Sequence, residues 1–184
     1  METYTLIPNI PNPIVECHNL ELPIPINPIF RHNPGYDTPD NYKRLVSDVP
    51  ENAHEYFNTL VYDKILPLVF KHERFFWSWP INMETFKQTT EVTTTLVKDE
   101  IGWQQGKHED PRIFPLTGVL HLQDCEQGTH FTDSGYTAPT KKFSGAFWVN
   151  SQNSYHLVNK VTSERMAYMV IAKWKFLPGN YTQV

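Results

Sequence analysis

The feature that most constrains this chain is where its prolines fall. Nine of the 15 lie in the first 50 residues, in stretches such as "IPNIPNPIVE" and "LPIPINPIF". Proline has no amide proton and holds φ at about −65°, which excludes helix interiors and central strands. The interleaved isoleucines want burial. The segment is therefore expected to run as an extended arm or edge strand packed on the rest of the chain. A proline-rich docking ligand suits it less well, because the residues between the prolines are apolar.

A helix is expected next. Asp48 is placed to cap it, Pro50 suits a first turn, and Glu51 stands three residues after Asp48, as in a capping box. Ala53, Phe57, Leu60, Val61, Ile65 and Leu68 then recur at helical spacing, and Pro67 should kink or end the helix. The aromatic run "RFFWSWP" (74–80) reads as a turn or strand.

From about residue 88 the texture changes. "TTEVTTTLVK", "FPLTGVLHLQ", "SGAFWVN" and "RMAYMVIAKWKF" are short β-branched or alternating runs, separated by Gly, Asp, Asn and Ser. Such spacing predicts a sandwich or barrel of short strands. With 184 residues, one domain with a sizeable core is expected. Its layout would be a Pro-rich arm (1–50), helical and aromatic support (51–87) and a β core (88–177).

Composition narrows the function. Hydrophobic residues are 40% and charged residues 20%, a globular balance. A net charge of −4 argues against a nucleic-acid backbone or an anionic membrane as the main partner. Cys17 and Cys125 form no CxxC, so neither a zinc ribbon nor a disulfide framework is visible. No apolar run approaches a membrane span, and "METYTLIPNIPNP" lacks the start of a signal peptide. A soluble, cytoplasmic protein is the expectation.

Eight histidines are present, and His18, His32, His54 and His72 read as structural or solvent-facing. "GKHEDPR" (106–112) is different. In extended backbone, residues i and i+2 point to the same side, so His108 and Asp110 can address one ion. Taken alone the pair reads more readily as an exposed polar patch before Pro111, because HxD is common by chance. "NSQNSYHLV" adds His156, where a chain re-enters a strand after a polar turn. Two histidines and a carboxylate are the ligands of the facial triad of non-haem Fe(II) oxygenases, which leaves coordination positions open. Arg165 follows nine residues after His156. A buried arginine there is what a chelating dicarboxylate needs for its far end.

With these residues in order, the chain resembles the 2-oxoglutarate/Fe(II)-dependent dioxygenases, and within them the prolyl-hydroxylase-like branch. The likeness covers roughly residues 90–177. It rests on "HED" (His108, Asp110), "YHLV" (His156) and "VTSER" (Arg165), with "GTHF" (128–131) and the aromatic pair Trp174 and Phe176 in support. The resemblance implies a double-stranded β-helix, the jelly roll shared with cupins. It implies Fe(II) held by His108, Asp110 and His156, 2-oxoglutarate paired with Arg165, and O2 as the other cosubstrate. Hydroxylation of a C–H bond follows, on a prolyl or other amino-acid, peptide or small-molecule substrate. One departure stands out. Many prolyl hydroxylases place a cosubstrate-binding tyrosine on a strand before HxD, and "TTTLVKDEIGW" has none; Thr95 or Thr117 is the candidate hydroxyl. Two alternatives remain: a non-oxidative cupin, disfavoured by the absence of HxH, and a jelly-roll binding module that uses its aromatics. Trp103 and the rings near 75–79 could line a substrate cleft, or simply pack in the core.

Overall fold

The alternating runs form strands that wind between two sheets. The structure, a computed structural model, describes residues 1–8, 10, 12–32, 43–72, 81–150 and 154–175. In chain order the strands are β1 (Thr3–Leu6), β2 (Ile14–His18), β3 (Arg31–His32), β4 (Arg44–Ser47), β5 (Thr90–Asp99) and β6 (Gln105–His108). They continue with β7 (Leu116–His121), β8 (Thr129–Phe131), β9 (Tyr136–Thr137), β10 (Gly145–Val149), β11 (His156–Val158) and β12 (Arg165–Trp174). One sheet has the order β1-β2-β10-β7-β12-β5-β4-β3, and the other β6-β11-β8-β9. From β5 onward the chain passes back and forth between them. That is the winding of a double-stranded β-helix, the fold expected from the sequence.

Strand periodicity gives the larger sheet two different faces. One face packs on the helices: Phe57 meets Tyr168 edge-on with centroids 4.8 Å apart, and Phe86 meets Trp174 at 5.3 Å. Phe57, Phe86 and Tyr168 have no exposed surface. Each such buried ring contributes about 1.5–3 kcal/mol by transfer from water. The opposite face turns to the smaller sheet, where Ile14, Ala146 and Trp148 pack with Phe131. Polar chemistry must therefore sit between the sheets. Gly118 of β7 permits the helix-side packing, because a Cβ there would stand inside the Phe147 ring of β10.

The Pro-rich segment enters the larger sheet at both edges. β2 is more than an edge strand: it lies between β1 and β10, with Ile14 2% and Val15 0% exposed. Pro8 and Pro13 stand just outside the strands, so no ladder bond is lost.

The helical region comprises α1 (Glu51–Thr59), a π-helical stretch (Leu60–Ile65), α2 (Leu66–Val69) and α3 (Met83–Thr89). Asp48 does not cap α1. It takes a two-pronged bond from Arg31, at 3.1 and 2.8 Å, because the β3–β4 pairing brings that guanidinium to it. The expected apolar stripe is buried from Ala53 to Ile65, but Val69 is buried where Leu68 was expected to be. The wider π turn adds a residue and advances the phase. It stands just before Pro67, which has no N–H for an ordinary turn to use. Asn82 caps α3 by accepting from Thr85 N at 2.8 Å. "RFFWSWP" and Phe176 lie outside the described residues. Among the described residues no helix is long and apolar enough to cross a membrane.

Candidate metal centre

β11 pairs antiparallel with β6, and His156 falls directly opposite His108. Such cross-strand neighbours have Cβ atoms about 4.5–5.5 Å apart, and here the imidazole centroids are 4.3 Å apart. Asp110, two residues past His108, completes the group. Its Oδ1 lies 3.7 Å from His108 Nε2 and 3.8 Å from His156 Nε2. All three donor atoms are within 4.8 Å of one another. Adjacent ligands of a cation bound at about 2.1 Å stand about 3 Å apart, so a modest closure of the side chains would complete a site. Glu109, between the two ligands, is exposed.

The hydrogen bonds select the lone pairs. His108 Nδ1 is 2.9 Å from the Gly106 carbonyl and His156 Nδ1 is 2.9 Å from that of Ser154. A carbonyl only accepts, so both Nδ1 atoms carry the proton and both Nε2 lone pairs face Asp110. The Gln105 side-chain amide, 3.0 Å from His108 Nε2, donates into that lone pair and must swing away before an ion binds.

Asp110 is itself held. Trp148 Nε1 donates to Oδ2 at 3.2 Å, which leaves Oδ1 toward the histidines. Thr117 also bonds the carboxylate. Asn150 Nδ2 donates to Thr117 Oγ1 at 2.8 Å, so the Thr117 hydroxyl proton is free for Asp110. Burial pushes the Asp110 carboxyl up, but the imidazoles of His108 and His156 and the Thr117 hydroxyl beside it together hold it below the usual carboxylate range. Burial pulls His156 below its ordinary value. For His108 burial acts downward too, yet the neighbouring Asp110 carboxylate and the Gly106 carbonyl favour its protonated form and leave it raised.

Arg165 opens β12 and is 1% exposed. It has partners within the chain, which the sequence reading did not foresee. Its Nε donates to Asp99 Oδ2 at 2.6 Å and its Nη1 to the Gln127 carbonyl at 3.1 Å. Asp99 also receives Arg44, at 2.6 and 2.9 Å. Burial acts to raise the Asp99 carboxyl, but the two guanidinia hold it below its ordinary value. Two cations share one anion, so the cluster carries one surplus positive charge. His121 adds none: burial first, then Arg165, depress it to about 3.

A packed path joins this cluster to the histidines. Val158 lies two residues beyond His156 on the same face of β11, and it packs on Trp103 with Val161. Arg44 Cζ stands 3.8 Å from the Trp103 ring centroid, and Arg165 Cζ 5.1 Å from it.

The three residues expected to bind metal are thus brought together, and Arg165 lies buried nearby. Asp99, Arg44, Trp148 and Asn150 were not foreseen. An acid closing the β-branched run "TTTLVKD" was the available signal for Asp99. Of the two candidate hydroxyls, Thr117 serves Asp110, whereas Thr95 borders a surface cleft with Arg31 and His54.

No family model matches the chain, and no curated protein matches it. Solved structures of similar shape are found. A viral collagen prolyl hydroxylase from Paramecium bursaria Chlorella virus-1, in its 2OG complex, is 18% identical with a TM-score of 0.49, covering 73% of this chain and 81% of that one. A prolyl-4-hydroxylase from Pseudomonas putida is 12% identical with a TM-score of 0.48, covering 72% and 73%. An oxidoreductase of the 2OG-Fe(II) oxygenase family from Burkholderia pseudomallei is 13% identical at 0.40, covering 72% and 69%. Likeness at this level leaves the chemistry to be read from the chain's own residues.

Proposed function

We propose that this protein is an Fe(II)- and 2-oxoglutarate-dependent oxygenase that hydroxylates a C–H bond. The observation that carries the proposal is the convergence of His108 Nε2, His156 Nε2 and Asp110 Oδ1 on one point between the sheets. Two neutral imidazoles and one carboxylate suit a divalent transition metal and leave positions open for other ligands. A cupin with HxH would present a different set, and a binding module would have no use for three converging donors.

His108, Asp110 and His156 would hold the iron. Iron with bound 2-oxoglutarate supplies the O2-dependent oxidising power for C–H hydroxylation. Trp148 and Thr117 fix the Asp110 carboxylate, so that one oxygen faces the metal position. Phe131 and Trp148 flank His156, with centroids at 5.6 and 5.1 Å, and exclude water from that side. Arg165, within a cluster of surplus positive charge, would receive the far carboxylate of the cosubstrate. We assign the substrate to the prolyl, amino-acid or peptide class, on the likeness of the HxD, distal His and Arg pattern, and the location to the cytoplasm. The chain would act as one domain over residues 1–184.

Succinate release from 2-oxoglutarate, measured with Fe(II) against a panel of prolyl peptides and free amino acids, tests class and substrate together. Anaerobic Fe(II) plus 2-oxoglutarate should also give a weak visible charge-transfer band. Folded protein that shows no such band would overturn the assignment. Arg165→Ala should weaken 2-oxoglutarate binding and leave Fe(II) bound.

A further inference from the structure

One buried donor beside Arg165 has no acceptor. Trp103, in the turn between β5 and β6, has no exposed surface, and its indole Nε1 meets no hydrogen-bond partner. The residue is tied at both backbone ends. Its N donates to the Glu100 carbonyl at 3.0 Å, and its carbonyl accepts from Val161 N at 2.7 Å. Val158 and Val161 pack the ring. Trp103 therefore cannot swing out to find water, and a buried unpaired N–H carries a free-energy cost.

The same ring adjoins the surplus charge. Arg44 and Arg165 both stand over it and share the single carboxylate of Asp99. One anionic acceptor placed here would answer both needs at once, taking the indole proton and balancing the second guanidinium. Water would satisfy only the N–H, and an apolar ligand neither. Position agrees with this. Residues two apart on a strand are separated by about 7 Å, so the step from His156 to Val158, which touches Trp103, is on the order of the reach of a five-carbon diacid.

We infer that Trp103 donates its indole N–H to the far carboxylate of 2-oxoglutarate, alongside Arg165. It would fill the role for which "TTTLVKDEIGW" offers no tyrosine. The inference rests on the oxygenase reading above. An indole only donates, so this subsite favours an acceptor-only group.

Trp103→Phe keeps the ring against Val158 and Arg44 and removes the N–H. With the Zn(II)-loaded protein, calorimetry should show 2-oxoglutarate binding weakened about 10- to 100-fold by this change, the range for a hydrogen bond to a charged group. Binding of 2-oxobutanoate, which lacks the far carboxylate, should be unchanged. In wild-type protein labelled with nitrogen-15, the indole resonance missing from the variant should move downfield when 2-oxoglutarate saturates the site. Undiminished 2-oxoglutarate affinity in Trp103→Phe, equal weakening for both oxoacids, or a static indole resonance would each overturn the inference while leaving the oxygenase reading intact. If wild type binds no 2-oxoglutarate at all, both fall.

Discussion

Arg165 and Asp99 stand directly opposite each other on β12 and β5, joined by a 2.6 Å bond from Nε to Oδ2 in a space closed to solvent. Arg165 loses its carboxylate partner without Asp99, whereas Asp99 keeps Arg44 when Arg165 is lost. Removing one partner of a buried ion pair typically costs about 3–5 kcal/mol, because a charge is left uncompensated. Asp99→Asn strands two guanidinia and should lower unfolding free energy by about that amount. Arg44→Met, at the half-open end of the cluster, leaves a neutral Asp99–Arg165 pair and should cost clearly less. Urea unfolding of the two variants checks the order; equal losses would mean that Asp99 is not the shared counter-ion.

His121 makes stability depend on pH. Its folded-state value is about 3, against an ordinary value of about 6.5. Between these limits the unfolded chain binds a proton that the folded chain refuses, so stability rises with pH across the window and falls on acidification. From pH 6.5 to pH 5 the loss through His121 is about 2 kcal/mol. His156, also depressed, acts in the same direction, and His108, which is raised, opposes it. Comparing metal-free wild type with His121→Gln isolates the one residue: the variant should show a flatter slope between pH 7 and pH 5. At lower pH Asp99 takes over. Its depressed carboxyl contributes stability above the unfolded carboxylate range, and this is lost as pH falls through its folded value.

The grouping of the candidate metal ligands was legible in the sequence because strand periodicity is local. His108 and Asp110 share a side by their spacing, and the polar turn before "YHLV" signals re-entry of His156. The β winding was legible for the same reason, from the runs between residues 88 and 174. What escaped was whatever depends on pairing across the chain. Asp99 meets Arg165 only through β5–β12 registration, and Asp48 leaves its helix only because β3 delivers Arg31. Proline counting also understated the arm. Pro13 limits where β2 begins, not whether the strand can lie inside a sheet.

Gly118 should tolerate no side chain. Phe147 of the neighbouring strand occupies the space a Cβ needs, and the ring is fully buried among the helices. Gly118→Ala forces that ring or its strand to shift, a change that costs about 1–3 kcal/mol in packed cores. A lowered thermal midpoint is expected, with His108, Asp110 and His156 unmoved. Unchanged stability would show that Phe147 can readily repack.

Trp148 links the core to the candidate metal centre. Its indole donates to Asp110 Oδ2 at 3.2 Å, and its ring stands 5.1 Å from that of His156. Trp148→Phe preserves most of the packing against Phe131 but frees one carboxylate oxygen, which can then rotate away from the histidines. Loss of such an outer partner usually lowers metal affinity about 10- to 100-fold. Titration with Mn(II), followed by its paramagnetic signal, should show that loss, while Asp110→Ala should abolish binding altogether. The Thr117 bond limits the damage in Trp148→Phe, so Trp148→Phe combined with Thr117→Val should approach the Asp110→Ala result. If the double variant binds Mn(II) as well as wild type does, Asp110 does not depend on these donors, and the ligand geometry comes from the β6–β11 pairing alone.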